Sequence, residues 1–130
     1  MLAAIATAAS GMRAAQLRLA ASAANVANLG SRGAPPGSTG PAAYQPVRVE
    51  QAAVESGGTL ASVRIVSPAW RVAYDPHASF ADAAGMVAEP NVDLVGEALE
   101  QTTAELSFLA NLRTLQTAQD MVKRLFDLTD

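Results

Sequence analysis

Residues 20–33 read AASAANVANLGSRG, and the two asparagines in this run, Asn25 and Asn28, mark where the chain changes character. Before them, from Leu2 onward, there is no proline. Ile5, Met12, Leu19 and Val26 recur every seven residues, and Leu2, Ala8 or Ala9, Ala15, Ser22 and Leu29 fill a second seam. That a/d spacing predicts a heptad helix over residues 1–29. Gly11 weakens it locally by ~1 kcal/mol relative to Ala. Alanine at most d-type positions means that a partner helix can approach closely, or that several helices surround this one.

Immediately after the asparagines the composition inverts. Residues 30–89 hold every proline except Pro90, and GSRGAPPGSTGPAAYQP, residues 30–46, is a Gly/Pro/Ser linker that cannot be helical. Short β-type runs follow: YQPVRVEQAAV alternates in part, TLASVRIVS alternates well, and WRVAYD is brief. The ESGG between the first two reads as a hairpin turn, so two or three strands in a small antiparallel ribbon are expected. A ribbon of that size is marginal in water without something to pack on. DPHASFADAAG reads as irregular.

The third part, residues 90–130, begins at PNVDLVGE. Pro90 stops anything helical before it, Asn91 suits an N-cap, and Asp93 and Glu97 place acids where the helix dipole favours them. From Val92 to Leu128 there is no proline and Gly96 is the only glycine. Val95, Leu99, Thr102, Leu106 and Leu109 form one apolar stripe; Phe108, Leu112, Leu115, Val122 and Leu125 or Phe126 form a second, slightly rotated one. Such a helix is roughly 50 Å long. The fold class predicted is mainly α: two long terminal helices in a coiled-coil-like pair, forming one assembly domain, with a small β-rich insertion between them. Two helices cannot cover a face this wide, so other chains must.

Bulk properties narrow the function. The 130 residues suffice for one domain, and the formal net charge of −3 offers no basic footprint for nucleic acid. Residues 1–29 carry Arg13 and Arg18 and no acid, whereas residues 92–130 carry seven acids and three bases, so the two ends are weakly complementary. Half the residues are hydrophobic but only 5% are aromatic, which makes any compact core shallow at ~25 cal/mol per Å² buried. No cysteine is present, which excludes disulfides and thiolate metal sites. The apolar MLAAIATAASGM lacks the basic segment that precedes a signal-peptide core, and no run approaches ~18 strongly apolar residues. Neither a cleaved signal nor a membrane span is expected.

No catalytic constellation emerges. His77 is the only histidine; with Asp75 and Asp82 near it in sequence it is better read as a solvated loop residue than as a metal ligand. No serine has a Gly-x-Ser-x-Gly context, and GSRGAPPG lacks the Lys-Ser/Thr of a phosphate loop. Glu97, Glu100 and Glu105 read as dipole-favouring acids, and Trp70 and Tyr74 as anchors for the β element. No enzyme activity, cofactor, metal site or small-molecule substrate is expected.

The residues do resemble a family. Ala24, Asn25, Val26, Ala27 and Asn28 are similar to the Asn-Asn-Leu-Ala-Asn signature of flagellar axial proteins (rod, hook and hook-associated), with Ala24 replacing the first Asn and Val26 the Leu. AASGMRAAQLRL, residues 8–19, resembles that family's opening helix. The later half is more specific and resembles the proximal-rod members: Tyr74 and Pro76; Ala81, Asp82 and Gly85; Pro90, Asn91, Val92 and Asp93; and Phe108, Ala110 and Asn111 fall on its motifs. Met86 stands where the family usually has an aromatic, and Ala78 follows His77 where it has proline. Both ends match, about two thirds of the chain, while residues 30–60 match little.

The resemblance implies a structural subunit of the basal-body rod, in the periplasm. It also implies partners among copies of itself and other rod subunits, and passage through the flagellar type III export apparatus without a cleaved signal. A sister rod protein or a helical adaptor is the alternative. Helix packing in the assembly is expected at Ile5, Met12, Leu19, Val26, Val95, Leu99, Leu106, Leu109, Leu112, Leu115 and Val122. Asn28 is expected to cap the first helix with Gly30, through left-handed backbone or hydrogen bonds to orphan carbonyls. Asn25 is expected to cap and also to bond an adjacent subunit. Pro90, Asn91, Val92, Asp93, Phe108 and Asn111 are further motif or inter-subunit candidates.

Overall fold

The computed structural model describes residues 2–127. Helix α1 spans Leu2–Ala27 and helix α2 spans Leu94–Asp127; between them lie strands β1 (Val47–Ala53), β2 (Thr59–Ile65), β3 (Trp70–Tyr74) and β4 (Met86–Pro90). The chain is mainly helical with a small antiparallel β insertion.

The helices pack side by side and antiparallel. The Ser22 hydroxyl donates to the Glu97 carbonyl at 3.1 Å, Arg18 pairs with Glu100, and Gly11 faces Asn111. Their seam is made of the smallest side chains available. Ala8, Ala14, Ala15, Ala21 and Ser22 of α1 and Ala104 and Ala118 of α2 are buried. At Gly11 a Cβ would lie 2.6 Å from the Asn111 Oδ1, so only glycine lets the Asn111 amide lie against α1. Ile5, Met12, Leu19 and Val26 do not form this seam: Leu19 is exposed and the other three lie half-buried on its flanks. The heptad spacing is present, but close approach selects the stripe with the least bulk.

The β1–β2 hairpin pairs Val47 with Ile65 and Ala53 with Thr59. Its turn closes through Gly57 N–H to Val54 O (2.8 Å) and Val54 N–H to Gly58 O (3.1 Å), with Gly57 and Gly58 at φ +90° and +99°. The ribbon is supported on α1, which holds it at the base through Asn25 and near the tip through Ser10, whose Oγ accepts the Thr59 N–H at 3.0 Å.

Four strands are described rather than two or three, in two separate ladders. The addition is β4, which pairs with β3 from Trp70–Pro90 to Tyr74–Met86 and exchanges two hydrogen bonds with Gly33. Flanked on both edges, β4 buries Val87, Ala88 and Pro90 and has no polar–apolar alternation to betray it. The ADAAG turn before it is built by Asp82, whose Oδ1 accepts the Ala84 and Met86 N–H groups at 2.9 Å each, and by Gly85 at φ +73°.

The cap of α2 is Asp93, not Asn91. Asp93 Oδ1 accepts the Val95 N–H at 3.2 Å, and its carbonyl accepts the Glu97 N–H at 2.9 Å. Asn91 lies too far ahead of Leu94 and instead extends the β3–β4 end, donating its N–H to Ala69 O and its Nδ2 to Pro68 O.

Candidate assembly interface

Asn25 sits where α1, β1 and α2 converge, and it is buried. Its Oδ1 accepts the Val47 N–H at 2.9 Å and the Tyr44 hydroxyl at 3.1 Å; its Nδ2 donates to Val47 O and to Glu97 Oε1, each at 2.7 Å. The amide thereby imitates one residue of a neighbouring β-strand against the edge of β1 and anchors the start of α2 with its other donor. An amide has two donors and a two-lone-pair acceptor, and all four are committed within the chain. The expected bond from Asn25 to an adjacent subunit is therefore corrected: no capacity and no exposure are left for it. A leucine-like residue could fill the volume but could not satisfy the strand edge.

Of the two routes expected, Asn28 ends α1 by hydrogen bonding and not by left-handed backbone. No described non-glycine residue has positive φ, so Asn28 is not left-handed. Its Nδ2 donates back to the Ala24 carbonyl at 2.9 Å and its Oδ1 accepts from the Ser31 hydroxyl at 3.1 Å, closing the helix end through the side chain.

Along the seam, Arg18 and Glu100 form a two-pronged pair, Nε to Oε1 at 2.5 Å and Nη2 to Oε2 at 2.9 Å. The hydrogen bond from Arg18, aided by its charge and opposed by partial burial, holds the Glu100 carboxyl below the usual carboxylate range; the same bond raises Arg18. Burial, and then the negative charge of Glu97, push the Tyr44 phenol up. Asn111 donates to the Ser107 carbonyl at 2.8 Å and packs on Gly11.

α2 has two faces. Leu112, Leu115 and Val122 are half-buried, with Phe108 and the buried Ala104 and Ala118 on the same side as α1. The other stripe points away: Val95 is 70% exposed, Leu99 64%, Leu106 62% and Leu109 44%. Beside the seam an open groove of about 570 Å³ runs between the helices, lined by Ala15, Leu19, Thr102, Ala104, Glu105 and Phe108 among others. Pro90, the last residue of β4, and Val92, in the connection to α2, are buried.

Sequence reasoning placed Ser22 in the second seam of α1, where it is buried, but missed its bond to Glu97, and it missed Tyr44, Glu97 and the Arg18–Glu100 pair as structural partners. A signal did exist: Ser22 and Asn25, three apart, are the polar members of an otherwise alanine stripe. His77 is exposed, and among the described residues no group of three His, Cys, Asp or Glu side chains is placed to hold a metal ion. Trp70 is half-buried beside the 34–45 loop, whereas Tyr74 is exposed.

The family profile described as Flagellar basal body rod FlgEFG protein C-terminal matches residues 83–128. The chain is 33% identical over 120 residues to the flagellar basal-body rod protein FlgC of Salmonella typhimurium, covering 85% of this chain and 84% of that protein. It is 34% identical to the Yersinia enterocolitica protein of the same name over the same shares. The Aquifex aeolicus FlgC is 33% identical over 60 residues, 46% of this chain and 45% of its own.

Proposed function

Because this chain belongs to the family of flagellar basal-body rod proteins FlgC, we propose that it is a structural subunit of the proximal rod, assembling with copies of itself and with other rod subunits into the tubular axis. Its role is mechanical rather than catalytic. It reaches the periplasm through the flagellar export apparatus.

The observation that carries this reading is the outer stripe of α2. Four large aliphatic side chains, Val95, Leu99, Leu106 and Leu109, repeat along one face and are 44–70% exposed. Covering a large aliphatic side chain is worth ~1.5–3 kcal/mol, so this face alone supplies a strong drive to associate. Ile5, Met12, Leu19 and Val26 add a second apolar line on α1, outside the intrachain seam. Leu112, Leu115, Val122, Phe108 and Asn111 serve assembly indirectly by holding α1 on α2. Asn28, Pro90, Asn91, Val92 and Asp93 set where each helix meets the β insertion.

The test separates the outer stripe from folding. Leu99→Gln combined with Leu106→Gln changes exposed positions, so monomer stability is expected to shift by less than ~0.5 kcal/mol at each site. Swimming of cells carrying only this version should be lost although the chain is still made and folded. Normal swimming at ordinary expression would overturn the reading.

A further inference from the structure

The groove between the helices has polar and apolar requirements that one segment of the same chain meets. Ala15 and Ala104 are buried at its floor, Leu19 and Phe108 form walls, and Thr102 and Glu105 stand exposed at the rim. In this half of α2, Arg18 engages Glu100 and Asn25 engages Glu97, whereas Glu105 has no ion-pair partner among the described residues. The rim thus offers one uncompensated carboxylate beside an apolar trough.

The far end of α2 carries the complement. The facing pairs Ser22–Glu97 and Gly11–Asn111 fix the antiparallel register, and continuing it brings Leu2 level with about residue 120. The last turns of α2 therefore run past α1. There Met121 and Leu125, one turn apart, are 54% and 52% exposed. Lys123 and Arg124 lie beside them and have no ion-pair partner among the described residues.

We infer that the groove receives the end of α2 from a second copy of this chain, running parallel to the host α2, with Met121 at Thr102 and Arg124 at Glu105. The inference rests on the rod-subunit reading and specifies one contact within it. Thr117, Met121 and Arg124 have the same i, i+4, i+7 spacing as Ala98, Thr102 and Glu105, so one stripe lies along the other for two turns. The offset from Thr102 to Met121 corresponds to ~28 Å along the helix axis. A contact between two different patches of identical chains leaves a free patch at each end of a pair; repeated with a rise along the axis, it generates an open helical series, which is what a tubular shaft requires.

The chain has no native cysteine, which makes the register directly readable. Thr102→Cys and Met121→Cys are introduced together. Within one chain these positions are ~28 Å apart on a single helix, beyond disulfide reach, so any bridge between them joins two copies. Basal bodies purified from cells carrying this version and mildly oxidised should yield cross-linked dimers, and either single substitution should yield none. Glu105→Arg should abolish swimming, and Arg124→Glu in the same chain should restore it. Basal bodies that contain the doubly substituted chain but give no dimer overturn the inference. So do dimers from a single substitution, or a bridge from the Thr102→Cys position to a protein of different mass, which would assign the groove to another rod subunit. Basal bodies from unsubstituted cells that lack the chain altogether would instead overturn the rod-subunit reading.

Discussion

Along α2 the face toward α1 and the face away from it are built from opposite materials. At its closest approach the inner face meets α1 through small or polar groups, the buried Ala104 and Ala118, Asn111 laid against Gly11, and the Glu97 carbonyl bonded to Ser22, with Phe108, Leu112, Leu115 and Val122 half-buried around them. The outer face carries Val95, Leu99, Leu106 and Leu109, largely open to solvent. A buried alanine removes little apolar area from water, so the seam gains mainly from close contact and polar satisfaction. The larger hydrophobic gain is held on the outer face. The helix pair is thus organised for geometry and the outer face for association. Single changes in the seam should therefore alter folding of the lone chain, whereas changes on the stripe should not.

The largest expected effect is at Asn25. In Asn25→Ala the N–H and carbonyl of half-buried Val47 lose their partners, and Glu97 and Tyr44 lose theirs. At ~1–3 kcal/mol for each buried group left unpaired, the total is roughly 3–5 kcal/mol, far above the few tenths that Ala gains in helix propensity. Asn25→Asp should be no better, because a carboxylate cannot donate to Val47 O and would face Glu97. Urea unfolding of the purified variants measures this. A loss below ~1 kcal/mol for Asn25→Ala would show that the seam's end is not held by this amide.

Next is Gly11. Alanine there gains ~1 kcal/mol of helix propensity but drives its Cβ into the Asn111 amide, which is fixed by its bond to Ser107; overpacking costs ~1–3 kcal/mol. Gly11→Ala alone should therefore destabilise by about 1 kcal/mol. In an Asn111→Ala background the same change should stabilise by ~1 kcal/mol. That reversal of sign in thermal unfolding would identify Gly11 as the point of closest approach; the same sign in both backgrounds would refute it.

The pattern of what could be read from the sequence follows the same division. The two helices show themselves through long proline-free stretches of regular spacing, and β1–β2 through alternation around ESGG. The inward face of α1 shows itself only in part: Ala8, Ala15 and Ser22 stand in the second heptad seam and are buried, but hydrophobic size points instead to the first seam, Ile5, Met12 and Leu19. β4 is hidden because β3 on one edge, the Gly33 bridge on the other and burial of the successive residues Val87 and Ala88 leave it no alternation. Asn25 is conspicuous as a polar residue near a helix end, yet its partner is the backbone of Val47, and a backbone group carries no residue-type signal. Glu97 and Glu100 were legible as acids favoured near a helix N-terminus; their bonds to Asn25 and Arg18 depend on an antiparallel register that spacing alone does not supply.

The smallest effect concerns the Arg18–Glu100 ion pair of the seam, and it depends on pH. Arg18 holds the Glu100 carboxyl below its ordinary range in the folded chain. The unfolded chain therefore binds this proton more readily, and stability falls as pH drops. The pair's contribution is complete above the ordinary glutamate range, near pH ~4.3, and is lost as pH falls through the lower folded value. Arg18, raised from an already high value, does not titrate in this window. The side chains of Arg18 and Glu100 are 17% and 38% exposed, so solvent screening limits the effect to ~1 kcal/mol or less. Glu100→Gln keeps a hydrogen-bonding side chain but removes the charge. Its urea midpoint should lie below that of the native chain at neutral pH, and the gap should narrow as both are taken down to about pH 3. A gap unchanged over that range would mean that the pair orients the seam without contributing charge, and the contrast between the two faces of α2 would then rest on side-chain size alone.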